Sequence, residues 1–137
     1  NTIESSSMGR LFDGVAALLG ICGFNAYEGQ CAMLLEDAAA RALARPGQSE
    51  ADRLALDFHR QVARMILEQC LLVREADGVN RIALTGGVFQ NRILTEETLA
   101  LLRQAGFDPY YNISVGPNDG GVALGQLYIA SKLQHKE

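Results

Sequence analysis

Two glycine-centred segments carry the residue types most suited to binding chemistry. The first is Thr85-Gly86-Gly87, which ends the short apolar run Ile82-Ala83-Leu84 and leads into a helical pattern near Asn91. The second is Gly116-Pro117-Asn118-Asp119-Gly120-Gly121, again between a strand pattern and a helical pattern. Glycine lets a backbone come close to a ligand. A helix start offers N–H groups without internal acceptors and a partial positive charge, which suits a phosphate. The third glycine of a dinucleotide-binding fingerprint is missing after Gly87, and many such turns only join a strand to a helix. Asp119 at a helix start either caps the last helix, the reading favoured on local grounds, or offers a hard carboxylate to a cation.

Three further positions stand out. Asp13 follows Gly9-Arg10-Leu11-Phe12 in the first helical pattern, where a macrodipole partner is the ordinary reading and a ligand contact the sharper one. Gly29, in Glu28-Gly29-Gln30, falls in the first turn of a second helix, where glycine does not favour a helix and points to close approach by a ligand or backbone. His59 reads as a solvated or core-edge histidine, and His135 as part of a frayed terminus. Thr95, Glu96 and Glu97 read as a solvated helix face. There is no HExxH, Walker lysine loop or Gly-x-Ser-x-Gly elbow, and no nucleophile with a partnered base, so no catalytic residue is assigned.

The elements that must position these residues fall into two halves. Residues 1–78 read as helical. Ser5-Ser6-Ser7 offers caps for a helix carrying Leu11, Phe12, Val15, Leu18 and Leu19, which Gly20 and Gly23 stop. Asn25 caps a second helix from about Tyr27 to Ala44. After the Pro46-Gly47-Gln48-Ser49 loop, a long helix runs from Glu50 to about Ala76, with the stripe Leu54, Phe58, Val62, Met65, Ile66, Gln69, Cys70 and Val73. Residues 79–137 read strand (81–85), helix (91–105, stopped by Gly106), strand (108–113) and helix (120–133). A helix crossing between strands makes the pair parallel, and three consecutive apolar residues suit a strand buried on both faces. The carboxyl ends of parallel strands lie side by side, so both glycine loops are expected to face one crevice. Two strands make a poor sheet. Further strands from preceding sequence, or pairing with a second copy through the sheet edge or the helices, would complete it.

Composition narrows the class. The 137 residues suit one domain and are 48% hydrophobic, enough for a core. A net charge of −4 gives no basic footprint for nucleic acid, and no apolar run spans a bilayer. Cys22, Cys31 and Cys70 have no metal spacing and read as free thiols in a reducing compartment, the cytoplasm. No secretory signal is evident. The chain begins at Asn1 and reads as a piece of a longer protein.

Four blocks together resemble the hydrogenase maturation carbamoyltransferases, the HypF family. They are Ser6-Ser7-Met8-Gly9-Arg10-Leu11-Phe12-Asp13-Gly14-Val15-Ala16-Ala17-Leu18-Leu19-Gly20, Tyr27-Glu28-Gly29-Gln30-Cys31-Ala32-Met33-Leu34-Leu35-Glu36, Gly86-Gly87-Val88-Phe89-Gln90-Asn91 and Pro117-Asn118-Asp119-Gly120-Gly121-Val122-Ala123-Leu124-Gly125-Gln126. They occur in the family's order and span nearly the whole chain.

The resemblance implies an α/β fold, part of a ribonuclease-H-like (actin or sugar-kinase-like) lobe with a helical first half and a β-α-β-α second half. It implies that carbamoyl-adenylate, made from carbamoyl phosphate and ATP on an upstream domain, gives its carbamoyl group to the C-terminal cysteine of a partner maturation protein. The thiocarboxamide later becomes a cyanide ligand of the nickel–iron centre. By the same resemblance Gly86, Gly87 and Asn91 contact the adenylate, with Gly120 in the second loop. Asp13 and Gly29 line its ribose or phosphate side, and Asp119 binds a divalent metal or iron. The family's metal-binding histidines belong to another lobe and are absent here, and Leu34 stands where a glutamate is expected. The chain alone is therefore expected to be inactive. The alternatives are a lobe of another actin-like kinase and a non-catalytic association module.

Overall fold

The computed structural model describes residues 6–45, 47 and 49–134. His135, and Pro46 and Gln48 of the expected loop, lie outside the described residues, as does the cap candidate Ser5. The order is α1 (Met8–Leu18), α2 (Gln30–Ala44), α3 (Glu50–Asp77), β1 (Arg81–Leu84), a 3-10 turn (Gly87–Gln90), α4 (Arg92–Gln104), β2 (Asp108–Tyr111), a second 3-10 turn (Asp119–Gly121) and α5 (Val122–Gln134). The fold is mixed α/β and mostly helical.

Local chemistry sets most boundaries. Gly20 turns left-handed after α1, and the Ile21 N–H donates back to the Ala16 carbonyl at 2.9 Å. Ser49 caps α3 by accepting from the Asp52 N–H. Gly106 closes α4 in the same way as Gly20 closes α1, with Phe107 N–H on the Leu102 carbonyl.

The helical core forms where α2 packs on α3, flanked by α1 and α4. Its centre is Phe12, Leu35, Val62 and Leu94, with Ala38, Ala39, Ala55 and Ala63 all fully buried. Alanines on both helices let their backbones approach closely. The buried face of α3 is Ala55, His59, Val62 and Ala63, with Ile66 half-buried beside them. This corrects the expected stripe: Leu54, Met65 and Val73 are exposed, because small side chains rather than the largest ones face α2.

β1 and β2 pair in parallel, with Arg81 opposite Asp108 and Leu84 opposite Tyr111. α4 crosses between them, and Leu84, Leu99, Leu102 and Phe107 form a second small core. Only one face of β1 is covered. Leu84 is buried while Arg81 and Ala83 are exposed, which corrects the expectation of a strand buried on both faces. The other side of the sheet is bare, and α5 is exposed along its length, with Leu127, Tyr128 and Ile129 each 60% or more accessible. No helix among the described residues is long and apolar enough to cross a membrane.

Candidate functional site

The two glycine loops meet. The Gly86 N–H donates to the Pro117 carbonyl at 2.9 Å, tying the end of β1 to the loop after β2. Gly86 has φ 102°, ψ 156°, a conformation that a residue with a side chain rarely adopts. The 3-10 turn that follows begins with Gly87 and Val88, whose N–H groups have no acceptor within the turn. They are the donors this junction offers to an anion.

The start of α4 is not such a site, although the sequence pattern suggested it. A carboxylate already sits there: Glu36 Oε1, from α2, accepts from the N–H groups of Arg92 at 2.7 Å and Ile93 at 3.4 Å. Asn91 Oδ1 accepts from Leu94 N–H at 2.9 Å. Asn91 is 9% exposed, and its Nδ2 lies 2.9 Å from Nε2 of His59. Its side chain is thus an N-cap and an inward hydrogen-bond donor, with one amide N–H remaining.

His59 is fully buried, which corrects its reading as a solvated or core-edge residue. Its Nδ1 lies 2.7 Å from the Ala55 carbonyl. The rings of Phe12 and Phe58 meet it edge-on, with centroids at 5.2 and 5.9 Å. Burial lowers its pKa, partly offset by the Ala55 carbonyl and the charge of Glu36, so the ring is held neutral. The pattern Ala55, His59, Val62, Ala63, Ile66 follows i, i+4, i+7, i+8, i+11 and is the sequence signal that places His59 on the buried face.

The second loop satisfies itself. Asn118 Oδ1 accepts from Gly120 N–H at 3.2 Å, and the Asn118 carbonyl accepts from Gly121. Asn118 therefore takes the capping role that local pattern assigned to Asp119. A Cβ on Gly120 would lie 3.1 Å from Asn118 Oδ1, a tight approach that would push on this cap. Asp119 is exposed, and no hydrogen bond or ion pair of its side chain forms among the described residues. Nor do three His, Cys, Asp or Glu side chains cluster among those residues. One exposed carboxylate falls short of the several oxygen or nitrogen donors a cation needs, so these residues do not form a metal site on their own.

Asp13 lies in the second turn of α1, too far along for a macrodipole partner. It lines an open cleft of about 460 Å³ together with Arg10, Cys22, Phe24, Asn25 and Cys31. Its Oδ1 is shut off from solvent and has no hydrogen-bond partner among the described residues. Buried acceptors are rarely left unpaired, so this oxygen is an exception within the fold, and the carboxylate meets the cleft through the rest of its surface.

α1 also packs on the 3-10 turn at Gly87–Gln90, so the Asp13 helix and the glycine junction adjoin. The cleft itself is lined by neither Gly86 nor Gly29. Gly29 precedes α2 rather than lying inside it. Its φ is 78°, and a Cβ there would meet nothing within 4 Å. Left-handed backbone accounts for this glycine, and no protein atom among the described residues comes close to it. Asn25 caps α2 from six residues away, its Oδ1 accepting from Cys31 N–H at 2.7 Å.

Two further expectations are corrected. Cys22 and Cys31 are joined in a disulfide, so only Cys70 remains a free thiol, kept protonated by burial. Thr95 is buried and donates to the Phe89 carbonyl, and Glu97 pairs with Arg60 of α3, because this side of α4 faces the core and α3.

Comparison with known proteins accords with this architecture. The family model for the second subdomain of the carbamoyltransferase Kae1-like domain matches residues 1–49 and 41–126. Carbamoyltransferase HypF of Rhodobacter capsulatus is 37% identical over 151 residues, covering 96% of this chain and 20% of that protein. Carbamoyltransferase HypF of Synechocystis is 30% identical over 160 residues, covering 97% of this chain and again 20% of that protein. A solved structure of full-length HypF in a phosphate- and nucleotide-bound form matches with a TM-score of 0.79 at 32% identity, over 93% of this chain and 20% of that one. HypF of T. kodakarensis, at 24% identity, shares the fold with a TM-score of 0.77. The chain thus spans about a fifth of the length of these relatives. The Kae1-like domain of these structures is actin-like, so the β-α-β-α unit described above is part of an actin-like fold. By the family match and by these relatives, the chain belongs to the HypF carbamoyltransferase family, as the second subdomain of its Kae1-like domain.

Proposed function

We propose that this chain forms one wall of the nucleotide site of a carbamoyltransferase in nickel–iron hydrogenase maturation. In this reading the site binds ATP or carbamoyl-adenylate, and the carbamoyl group passes to the C-terminal cysteine of a partner maturation protein. The carbamoyl carbon forms a bond to sulfur and loses its bond to the AMP phosphate oxygen. The thiol gives up its proton, and AMP leaves with an added negative charge. The chain's task is to hold that leaving group. The observation that carries the reading is the Gly86–Pro117 hydrogen bond, which joins the two glycine loops at the carboxyl ends of the parallel strands.

Gly87 and Val88 offer N–H groups to a phosphate, and the Asp13 carboxylate, which lines the cleft, offers an acceptor to a ribose hydroxyl. The remaining Asn91 N–H is, in this reading, a third donor to the nucleotide. Gly120 and Gly29 shape backbone around the site rather than donate to it. A metal enters this reading only with ligands from outside the chain, and Asp119 would be one carboxylate among them. Transfer would need the rest of the protein, so the isolated chain is inactive.

Calorimetric titration of ATP into the protein carrying this chain tests the reading. Asp13→Ala is expected to weaken binding about tenfold, the worth of one good hydrogen bond to a charged group. Unchanged affinity in Asp13→Ala and Asn91→Ala would remove both residues from the site.

A further inference from the structure

We infer that His59 is the positioning residue that fixes how Asn91 presents its amide to the nucleotide. The inference rests on the nucleotide reading above and adds a residue to it. Hydrogen-bond geometry alone settles the arrangement. Leu94 N–H can only donate, so the Asn91 atom 2.9 Å from it is the oxygen. The other end of the amide is therefore the nitrogen, and it donates to His59 Nε2. Nε2 must then be the bare acceptor, and the ring proton sits on Nδ1, where the Ala55 carbonyl takes it at 2.7 Å. Every polar atom of the ring is used, and each bond forbids the opposite tautomer.

The ring itself cannot turn. Phe58 is its chain neighbour on α3, and Phe12 of α1 meets it edge-on. Phe12 directly precedes Asp13. His59 thus stands between the helix that carries Asp13 and the amide of Asn91, and it holds both in register from the interior. With its oxygen engaged on α4 and one N–H on His59, the planar amide is fixed, and so is its remaining N–H. A plain core histidine would stabilise the fold without any bearing on ligand affinity, and that difference is measurable.

The test compares His59→Leu, which removes the acceptor, with His59→Gln, which restores one. ATP affinity is measured by calorimetry on the protein carrying this chain, at a temperature where circular dichroism shows each variant folded. Binding is expected to weaken about tenfold in His59→Leu and to recover to within about threefold of wild type in His59→Gln. Weakened binding in Asn91→Ala with wild-type binding in a folded His59→Leu would overturn the positioning role while leaving the nucleotide reading intact. Unchanged binding in Asn91→Ala would overturn the role of Asn91 and this inference with it. If His59→Leu does not fold, imidazole nitrogen NMR of the wild-type protein decides. A proton on Nδ1, with the Nε2 signal moving on addition of ATP, supports the role, and a proton on Nε2 overturns it.

Discussion

Asn91 joins three parts of the molecule through one small amide. It caps α4, binds His59 of α3, and follows the turn that begins at Gly87. Asn91→Ala should therefore cost about 2 kcal/mol of stability, combining a lost cap with an unpaired ring nitrogen. Urea melts would show it, and a change under about 0.5 kcal/mol, the ordinary surface value, would contradict it. His59 adds a pH dependence. Its folded pKa lies below the ordinary value near 6.5 because burial opposes its charge. Below that value the unfolded chain takes up a proton that the folded chain resists. Stability is full above about pH 6.5 and falls as pH drops towards the lowered folded value. The fall should be smaller in His59→Gln, where no ring titrates, and equal slopes in both proteins would contradict the assignment. The burial of His59 was legible in the spacing of its neighbours, but its bond to Asn91 was not. The partner of His59 is 32 residues away, and periodicity reports burial but not what a buried polar group bonds to.

Element boundaries were read well where one residue carries its own reason. Ser49, Gly20 and Gly106 act through their own side chain or backbone, and each stops or starts the helix expected of it. Local pattern does not distinguish adjacent caps or contacts made across the chain. Asn118 rather than Asp119 caps the last turn, since its side chain reaches Gly120 N–H. Glu36 quenches the start of α4 from another helix. Glu36→Gln should cost about 0.5–1 kcal/mol, as a charge at a helix N-terminus is lost. Cys22 and Cys31 looked like free thiols because nine residues of separation say nothing about whether a loop folds back. That bridge closes the loop from α1 to α2 beside the Asp13 cleft. Reduction should destabilise the chain by about 2–3 kcal/mol from loop entropy. A melting temperature indifferent to added dithiol would show that the bridge does not form in solution.

At the scale of the whole molecule, one end is packed and the other is open. Leu35 lies fully buried among α1, α2 and α3, so Leu35→Ala should cost about 2–5 kcal/mol. Ile129 on α5 is 60% exposed, and Ile129→Asp should change stability by less than about 0.5 kcal/mol in this chain alone. The sequence anticipated this imbalance, because a parallel pair of strands leaves edges that no further strand covers among the described residues. It did not anticipate which face stays bare, since Ile82-Ala83-Leu84 is apolar at every position while only Leu84 is buried. The central claim is that the joined glycine loops and the Asp13 helix form one nucleotide-binding wall. The most direct measurement is NMR of the protein carrying this chain, with glycine and aspartate amides labelled, during titration with ATP. Shifts should gather at Gly86, Gly87, Gly120 and Asp13, and spare Gly78 and Asp77 at the far end of α3. Saturable ATP binding that leaves all four of those amides unmoved would contradict the account.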